Sequence, residues 1–316
     1  RDALEQGREE LSRRLAEHPS AGHAHCGGHS FLLDQLIRLI HDYAAERLAP
    51  VPEGETAKAM TVVAAGGYGR EEMAPHSDVD IAFIVERAED KRTVALVEAI
   101  LYLLWDLGLT VGHSVRTLDD VVSMSKADGT ILTALLECRY LWGDEALYDA
   151  ATRRFYAEVV EGTERQFVAE KLRERDARHK RMGDTRYVVE PNVKEGKGGL
   201  RDLHALYWIG KYIHRARNAA ELVDAGLFTK AEYRSFRRAE GFFLAVRCHL
   251  HEITGRAEDR LTFDLQKELA RRMNFADRRS KSAVERFMQY YFLQAKRVGS
   301  LTGIFLGQLE EQFAKK

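Results

Sequence analysis

The spacing of apolar residues changes twice along the chain, and each change marks a change of architecture. Before residue 58, Leu4, Leu11 and Leu15 share one helical face, and residues 31–48 repeat the helical period strongly, which predicts packing helices. Between them residues 19–30, rich in Gly and His, read as a mobile polar loop, and residues 50–55 read as a linker. From Ala59 strands alternate with helices. Residues 60–65 form a β-rich run ending at Gly66-Gly67, residues 79–85 a second strand, residues 92–107 an amphipathic helix, and residues 110–115 a third strand. After about Asp119 strand signals almost vanish. Helices are expected over 117–126, 129–141, 164–181, 200–217, 230–253 and 282–305, with a Pro- and Gly-containing loop at 185–199. The expectation is an α/β domain at residues 58–142, preceded by helices over 1–57 and followed by a helical domain over 143–316: α+β overall, predominantly helical.

Composition narrows the partners. Lys+Arg 48 nearly cancel Asp+Glu 49, so no global positive field gathers nucleic-acid phosphates, and no nucleic-acid partner is expected. The richest apolar stretch, residues 97–105, is interrupted by Glu98 and closed by Asp106, which predicts no membrane span. Cys26, Cys138 and Cys248 are far apart and lack CxxC spacing, as expected of reduced thiols in a cytoplasmic protein. The chain opens on Arg1 and closes on a charged run, which suggests a piece of a longer protein.

The chemistry concentrates in Gly66-Gly67-Tyr68-Gly69-Arg70-Glu71-Glu72-Met73-Ala74-Pro75-His76-Ser77-Asp78-Val79-Asp80. A strand feeds a glycine turn, one short helical stretch follows, and the next strand opens with Asp-x-Asp. Glycines let backbone N–H groups approach a phosphate, which makes Gly66 and Gly67 the candidates for the β- and γ-phosphates. Asp78 and Asp80 project from one strand face, roughly 7 Å apart, where two carboxylates suit Mg²⁺ carrying a triphosphate. Ser77 adds a hydroxyl and Arg70 a fixed cation. An isolated Asp-x-Asp is more often a solvated strand start; its joining to the glycine turn favours catalysis.

This segment resembles the nucleotidyltransferase superfamily that includes DNA polymerase β, with its Gly-Gly/Ser turn followed by Asp-x-Asp. Its neighbours sharpen the resemblance: Trp105-Asp106-Leu107-Gly108, Val111-Gly112-His113-Ser114-Val115-Arg116-Thr117, and Glu190-Pro191-Asn192-Val193-Lys194-Glu195-Gly196-Lys197-Gly198-Gly199-Leu200-Arg201-Asp202-Leu203 look like the bacterial PII uridylyltransferase/uridylyl-removing family. The resemblance implies a DNA polymerase β-like fold and transfer of UMP from UTP to a tyrosine of the PII signalling protein. It also implies an HD hydrolase and glutamine-sensing ACT domains, neither of which is visible in this sequence. Lone His41-Asp42 lacks the spaced partners of an HD site and reads as a solvated helical face. Glu71 stands where the family usually has glycine.

Lys194, Lys197 and Arg201, among glycines ahead of a helix, are candidates for triphosphate oxygens, against the plainer reading of a surface hairpin. Relatives of the superfamily supply a third carboxylate from a later strand, but the matching strand here carries His113, Ser114 and Arg116 and no acid, leaving Glu137 or Asp144 as substitutes, with the metal-lowered acidity of the tyrosine hydroxyl as another route. His23, His25, Cys26 and His29 lack the spacing of a common zinc module. Two rival functions remain: adenylyl transfer to another protein, and a non-catalytic nucleotide-sensing module.

Overall fold

The computed structural model describes residues 1–278 and 280–315, which divide into two compact units. The first gathers Arg1–Glu9, Gly27–Met73 and Ser77–Thr163; the second gathers Glu10–Cys26, Ala74–His76 and Glu164–Lys316.

Residues of helices α1 (Asp2–Glu17) and α2 (Gly22–Tyr43) contribute to both units. In the first unit the chain then runs β1 (Met60–Ala64), α3 (Gly66–Gly69), β2 (Val79–Val85), α4 (Lys91–Asp106), β3 (Val111–Arg116), α5 (Leu118–Ala127), α6 (Gly129–Leu136), β4 (Arg139–Gly143) and α7 (Glu145–Phe155). The sheet order is β3-β2-β1-β4. β2 pairs antiparallel with β1 and parallel with β3, the parallel step being made by α4. The two central strands are apolar almost without interruption because both faces are covered, whereas β3 at the edge alternates. Helix α4 starts where Asp90 accepts a hydrogen bond from the Thr93 N–H, and it buries Leu96, Val97, Ile100, Leu101 and Leu104. Leu33, Ile37 and Ile40 of α2 join the same core cluster as β1, β2 and α4.

Two expectations fail here. Residues 129–141 were expected as one helix, but α6 stops at Leu136 and the chain returns as β4, paired antiparallel with β1. Tyr140 and Trp142 favour a strand, and the helical period of the apolar residues ahead of them hides the switch. Residues 19–30 were expected as a mobile loop, yet α2 begins at Gly22. Tertiary packing overrides the poor helix propensity of Gly and His there. Within the second unit, a Cβ on Gly22 would meet the Ala245 amide nitrogen at 2.5 Å, Cys26 Sγ lies 3.4 Å from Cys248 Sγ, and His249 Nε2 lies 2.9 Å from the Pro19 carbonyl.

The second unit continues with α8 (Glu164–Arg181), α9 (Leu200–His214), α10 (Glu221–Asp224), α11 (Lys230–Thr254), α12 (Phe263–Arg272) and α13 (Ala283–Lys315). Its core is aromatic: Phe167 stacks on Tyr212 at 3.9 Å, and Phe242 and Phe243 of α11 pack edge-on against Tyr291 of α13. Among the described residues no helix is long and apolar enough to cross a membrane.

Candidate active site

β1 ends where the Ala65 N–H donates to the Asp80 carbonyl at 2.9 Å, which brings the glycine turn beside the start of β2. Gly66 takes φ +55°, in the left-handed region, and opens the four-residue helix α3. Gly69 and Arg70 spend their N–H groups on the Ala65 and Gly66 carbonyls. Asp78 is exposed and Ser77 half-buried ahead of β2, while Asp80 sits half-buried inside it.

The Asp80 carboxylate takes up space that two glycines leave open. A Cβ on Gly66 would stand 3.0 Å from Oδ2, and β2–β3 register sets Asp80 opposite Gly112, where a Cβ would press into Oδ1. Gly112 thus leaves the space that the Asp80 carboxylate takes on this side. An acid on β3 opposite Asp80 is excluded for the same reason. Of the two substitutes, Asp144 follows β4 at the Met60 end of β1, the opposite end of the sheet from Asp80, and it caps α7 through the Leu147 N–H. Glu137 lies at the Asp80 end, but its carboxylate holds Arg70.

Arg70 is buried, with Nε 3.1 Å from Glu72 and Nη1 on Glu137. Burial works against its charge, yet Glu137 and Glu72 raise its pKa above the ordinary arginine value. Its Nη2 lies 3.8 Å from the position of a Cβ on Gly67, so the guanidinium flanks the turn.

Tyr68, the one large side chain in the turn, is fully buried and donates to Asp34 Oδ1 at 2.7 Å. Arg139 of β4 grips both Asp34 oxygens at 2.8 and 3.0 Å and reaches the Tyr68 carbonyl at 3.4 Å. Burial and the neighbouring Asp34 raise the Tyr68 pKa, so the hydroxyl stays protonated and donating. The turn is therefore clamped to α2 and β4 through Tyr68. Sequence reading missed this clamp because Asp34 and Arg139 are remote in the chain. It also missed Gly112, whose signal was present: a glycine inside a strand marks a close approach. Glu71 takes φ 61°, which accounts for the glycine expected at this position.

In the second unit, the loop before α9 is fastened by its own residues. Asn192 Oδ1 accepts from the Lys194 and Glu195 N–H groups at 3.0 and 2.7 Å. Asp202, buried, accepts from the Gly198 N–H at 2.7 Å and holds His179 and Arg178. Lys197 pairs with Asp184 at 2.9 Å, and Arg201 pairs with Glu195 at 3.0 Å over the Trp208 ring. Lys194 makes no ion pair among the described residues. Burial lowers its pKa, and the nearby cations Arg247 and Arg201 lower it further.

Comparison with known proteins identifies the chain's relatives. The family model described as a nucleotidyltransferase domain matches residues 57–129, and the one described as GlnD PII-uridylyltransferase matches residues 166–306. Proteins named bifunctional uridylyltransferase/uridylyl-removing enzyme align along the chain. The one from Erythrobacter litoralis is 67% identical over 316 residues, and the one from Novosphingobium aromaticivorans is 66% identical over the same length. That from Rhodospirillum rubrum is 49% identical over 310 residues, 98% of this chain. The chain spans 34%, 35% and 33% of these relatives' lengths. With the α/β nucleotidyltransferase domain, the helical unit and these matches together, the chain belongs to the GlnD PII-uridylyltransferase family.

Proposed function

We propose that this chain transfers UMP from UTP to a tyrosine hydroxyl of the PII signal-transduction protein in the cytoplasm, releasing pyrophosphate, as part of nitrogen regulation. The observation that carries this reading is the Asp80 carboxylate seated in the space left by Gly66 and Gly112, beside Asp78 and the glycine turn.

Nucleotidyltransferases typically work with a divalent metal, and the residues present fit one. Asp78 and Asp80 offer hard oxygen donors, and Gly66 and Gly112 leave room for the Asp80 carboxylate between them. We assign Mg²⁺ to them. When bound, it offsets triphosphate charge and stabilises the departing pyrophosphate. The backbone at Gly66 and Gly67 takes the β- and γ-phosphates, with Ser77 and Arg70 at the edge of the turn. Lys194, Lys197 and Arg201 are assigned to triphosphate oxygens on the chemistry of their loop. The tyrosine oxygen attacks the α-phosphorus, a P–O bond forms to it, and the bond to the bridging β-phosphate oxygen breaks with its electron pair leaving on pyrophosphate. The phenolic proton passes to solvent, which is feasible because a phenol ionises near pH 10, far below an aliphatic alcohol. Glutamine control belongs to ACT domains of the family.

The test is the intact mass of PII after incubation with the chain, UTP and Mg²⁺. A gain of one UMP per modified tyrosine is expected. Labelling with ATP in preference to UTP would transfer the assignment to adenylylation, and no metal-dependent pyrophosphate release with any NTP would leave a nucleotide sensor.

A further inference from the structure

A short stretch ahead of Asp78 packs with the helical unit: Ala74–His76 belong to it, although Met73 before them and Ser77 after them belong to the first unit. The His76 side chain is exposed, but its backbone N–H donates to Nδ1 of His251 at 3.2 Å. His251 lies in the last turn of α11 and is fully buried. Asp78 follows His76 by two residues, so this bond holds the backbone that leads directly into the carboxylate.

The accepting role fixes the proton on the ring. An Nδ1 that accepts from an amide carries no proton, so the proton of the neutral imidazole sits on Nε2. Nε2 is sealed from solvent without a hydrogen bond of ordinary length, and it faces Asp259 Oδ1 at 3.5 Å. Asp259 is itself anchored. Arg247 Nε donates to Oδ1 at 2.7 Å, and the Asp259 carbonyl accepts from the Val193 N–H at 2.8 Å. Burial lowers the His251 pKa against the pull of Asp259, which keeps the ring neutral and able to accept. A buried ring with one nitrogen on a loop amide and the other toward an anchored carboxylate is an oriented bracket, whereas packing alone would be served by an apolar side chain.

We propose that His251 is a positioning residue for UMP transfer: through the His76 amide it sets the backbone that aims Asp78, and Asp259 holds the ring in its accepting tautomer. This rests on the assignment of Asp78 to the metal. Histidine-selective ¹⁵N labelling of the chain reads both ends of the bond by NMR. The expected signature is a neutral His251 ring with its proton on Nε2, and a His76 amide protected from solvent exchange. A freely exchanging His76 amide, or a proton on Nδ1, overturns the proposal without any variant. His251→Leu and His251→Asn are of nearly equal size and lose the same ring packing, but only asparagine keeps an acceptor. Mn²⁺ is the probe, its free ion followed by electron paramagnetic resonance in the presence of a UTP analogue with an uncleavable α,β-bridge. Affinity should fall about tenfold or more in His251→Leu, and His251→Asn should keep most of it. The kcat should follow the same order, with the KM for PII unchanged. Equal Mn²⁺ affinity in the two variants overturns the proposal and leaves the UMP-transfer reading standing. A parent chain that binds Mn²⁺ through Asp78 yet transfers nothing to PII overturns that reading instead, and one whose Mn²⁺ affinity is untouched by Asp78→Asn overturns the metal assignment and this inference with it.

Discussion

Two glycine-rich segments, residues 66–80 and residues 189–202, look alike as sequence and use their glycines differently. In the first, the missing Cβ at Gly66, together with that at Gly112 on the neighbouring strand β3, makes room for a side chain, the Asp80 carboxylate, while Gly69 alone borders backbone, the Glu137 carbonyl. In the second, the missing Cβ atoms make room for backbone. A Cβ on Gly196 would meet the Asn192 carbonyl at 2.5 Å, on Gly198 the Ala295 carbonyl at 2.5 Å, and on Gly199 the Val193 carbonyl at 2.5 Å. A glycine that borders a side chain protects the aim of that side chain, whereas one that borders a carbonyl protects the fold. The two kinds should therefore fail differently when replaced.

The largest expected effects are catalytic and lie in the first segment. Asp78→Asn and Asp80→Asn should each abolish transfer with the fold intact, because on the proposed assignment each removes a metal carboxylate supplying several kcal/mol of transition-state stabilisation. Gly112→Ala sharpens the comparison: its methyl displaces only the mobile end of the Asp80 side chain, so the melting temperature should hardly move. Misplacing the carboxylate by about 1 Å should still cost about a hundredfold in kcat. A Gly112→Ala chain with normal turnover would break the link between this glycine and catalysis.

In the second segment the loss should appear as stability. Gly198 takes φ +82° and has the rigid Ala295 carbonyl beside it, so Gly198→Ala combines backbone strain with a clash that no rotamer relieves. Denaturant unfolding should show the chain destabilised by about 2–4 kcal/mol. A stable Gly198→Ala chain defective only in UTP use would instead place this glycine with the phosphates.

How much of this was legible beforehand follows the same division. Asp78, Asp80 and the glycine turn are contiguous, and their spacing was enough to select them. β1 and β2 were legible because central strands are continuously apolar. Gly112, Asp34 and Arg139 act on the turn across the sheet and across the chain, through pairings that no local pattern encodes. β4 was hidden behind the helical period of α6, and the burial of His25, Cys26 and His29 behind their polar appearance.

The cations of the second segment test whether it also serves the nucleotide. Arg201 and Lys197 already have acids, whereas Lys194 is the cation without an ion pair among the described residues. Lys194→Ala should therefore lower kcat/KM for UTP by roughly ten- to hundredfold, about 1.5–3 kcal/mol, and Arg201→Ala by less, with the KM for PII unchanged. Because burial depresses the Lys194 pKa, its charge is lost on raising the pH sooner than that of an exposed lysine. The KM for UTP should accordingly rise with pH in the alkaline range, and Lys194→Arg should flatten that rise. Unchanged UTP kinetics in both alanine variants would return the loop to a purely structural role.

The smallest effect concerns Glu71, the position in the first segment where a glycine was expected. Glu71 holds φ 61°, a conformation that disfavours any residue with a Cβ, and its side chain is exposed, so little packing offsets the strain. Glu71→Gly removes the strain while loosening the unfolded chain, and these effects oppose each other. Glu71 also lies close enough to Arg139 to favour its charge, a contribution the substitution removes from the clamp on Tyr68. The net gain should be at most about 1 kcal/mol in denaturant unfolding, with kcat and the KM for UTP unchanged. Destabilisation would mean that the carboxylate's influence on Arg139 outweighs the backbone strain. A change in kcat at unaltered stability would mean that residue 71 helps set the aim of the turn, and would extend the side-chain role of this segment beyond Asp80.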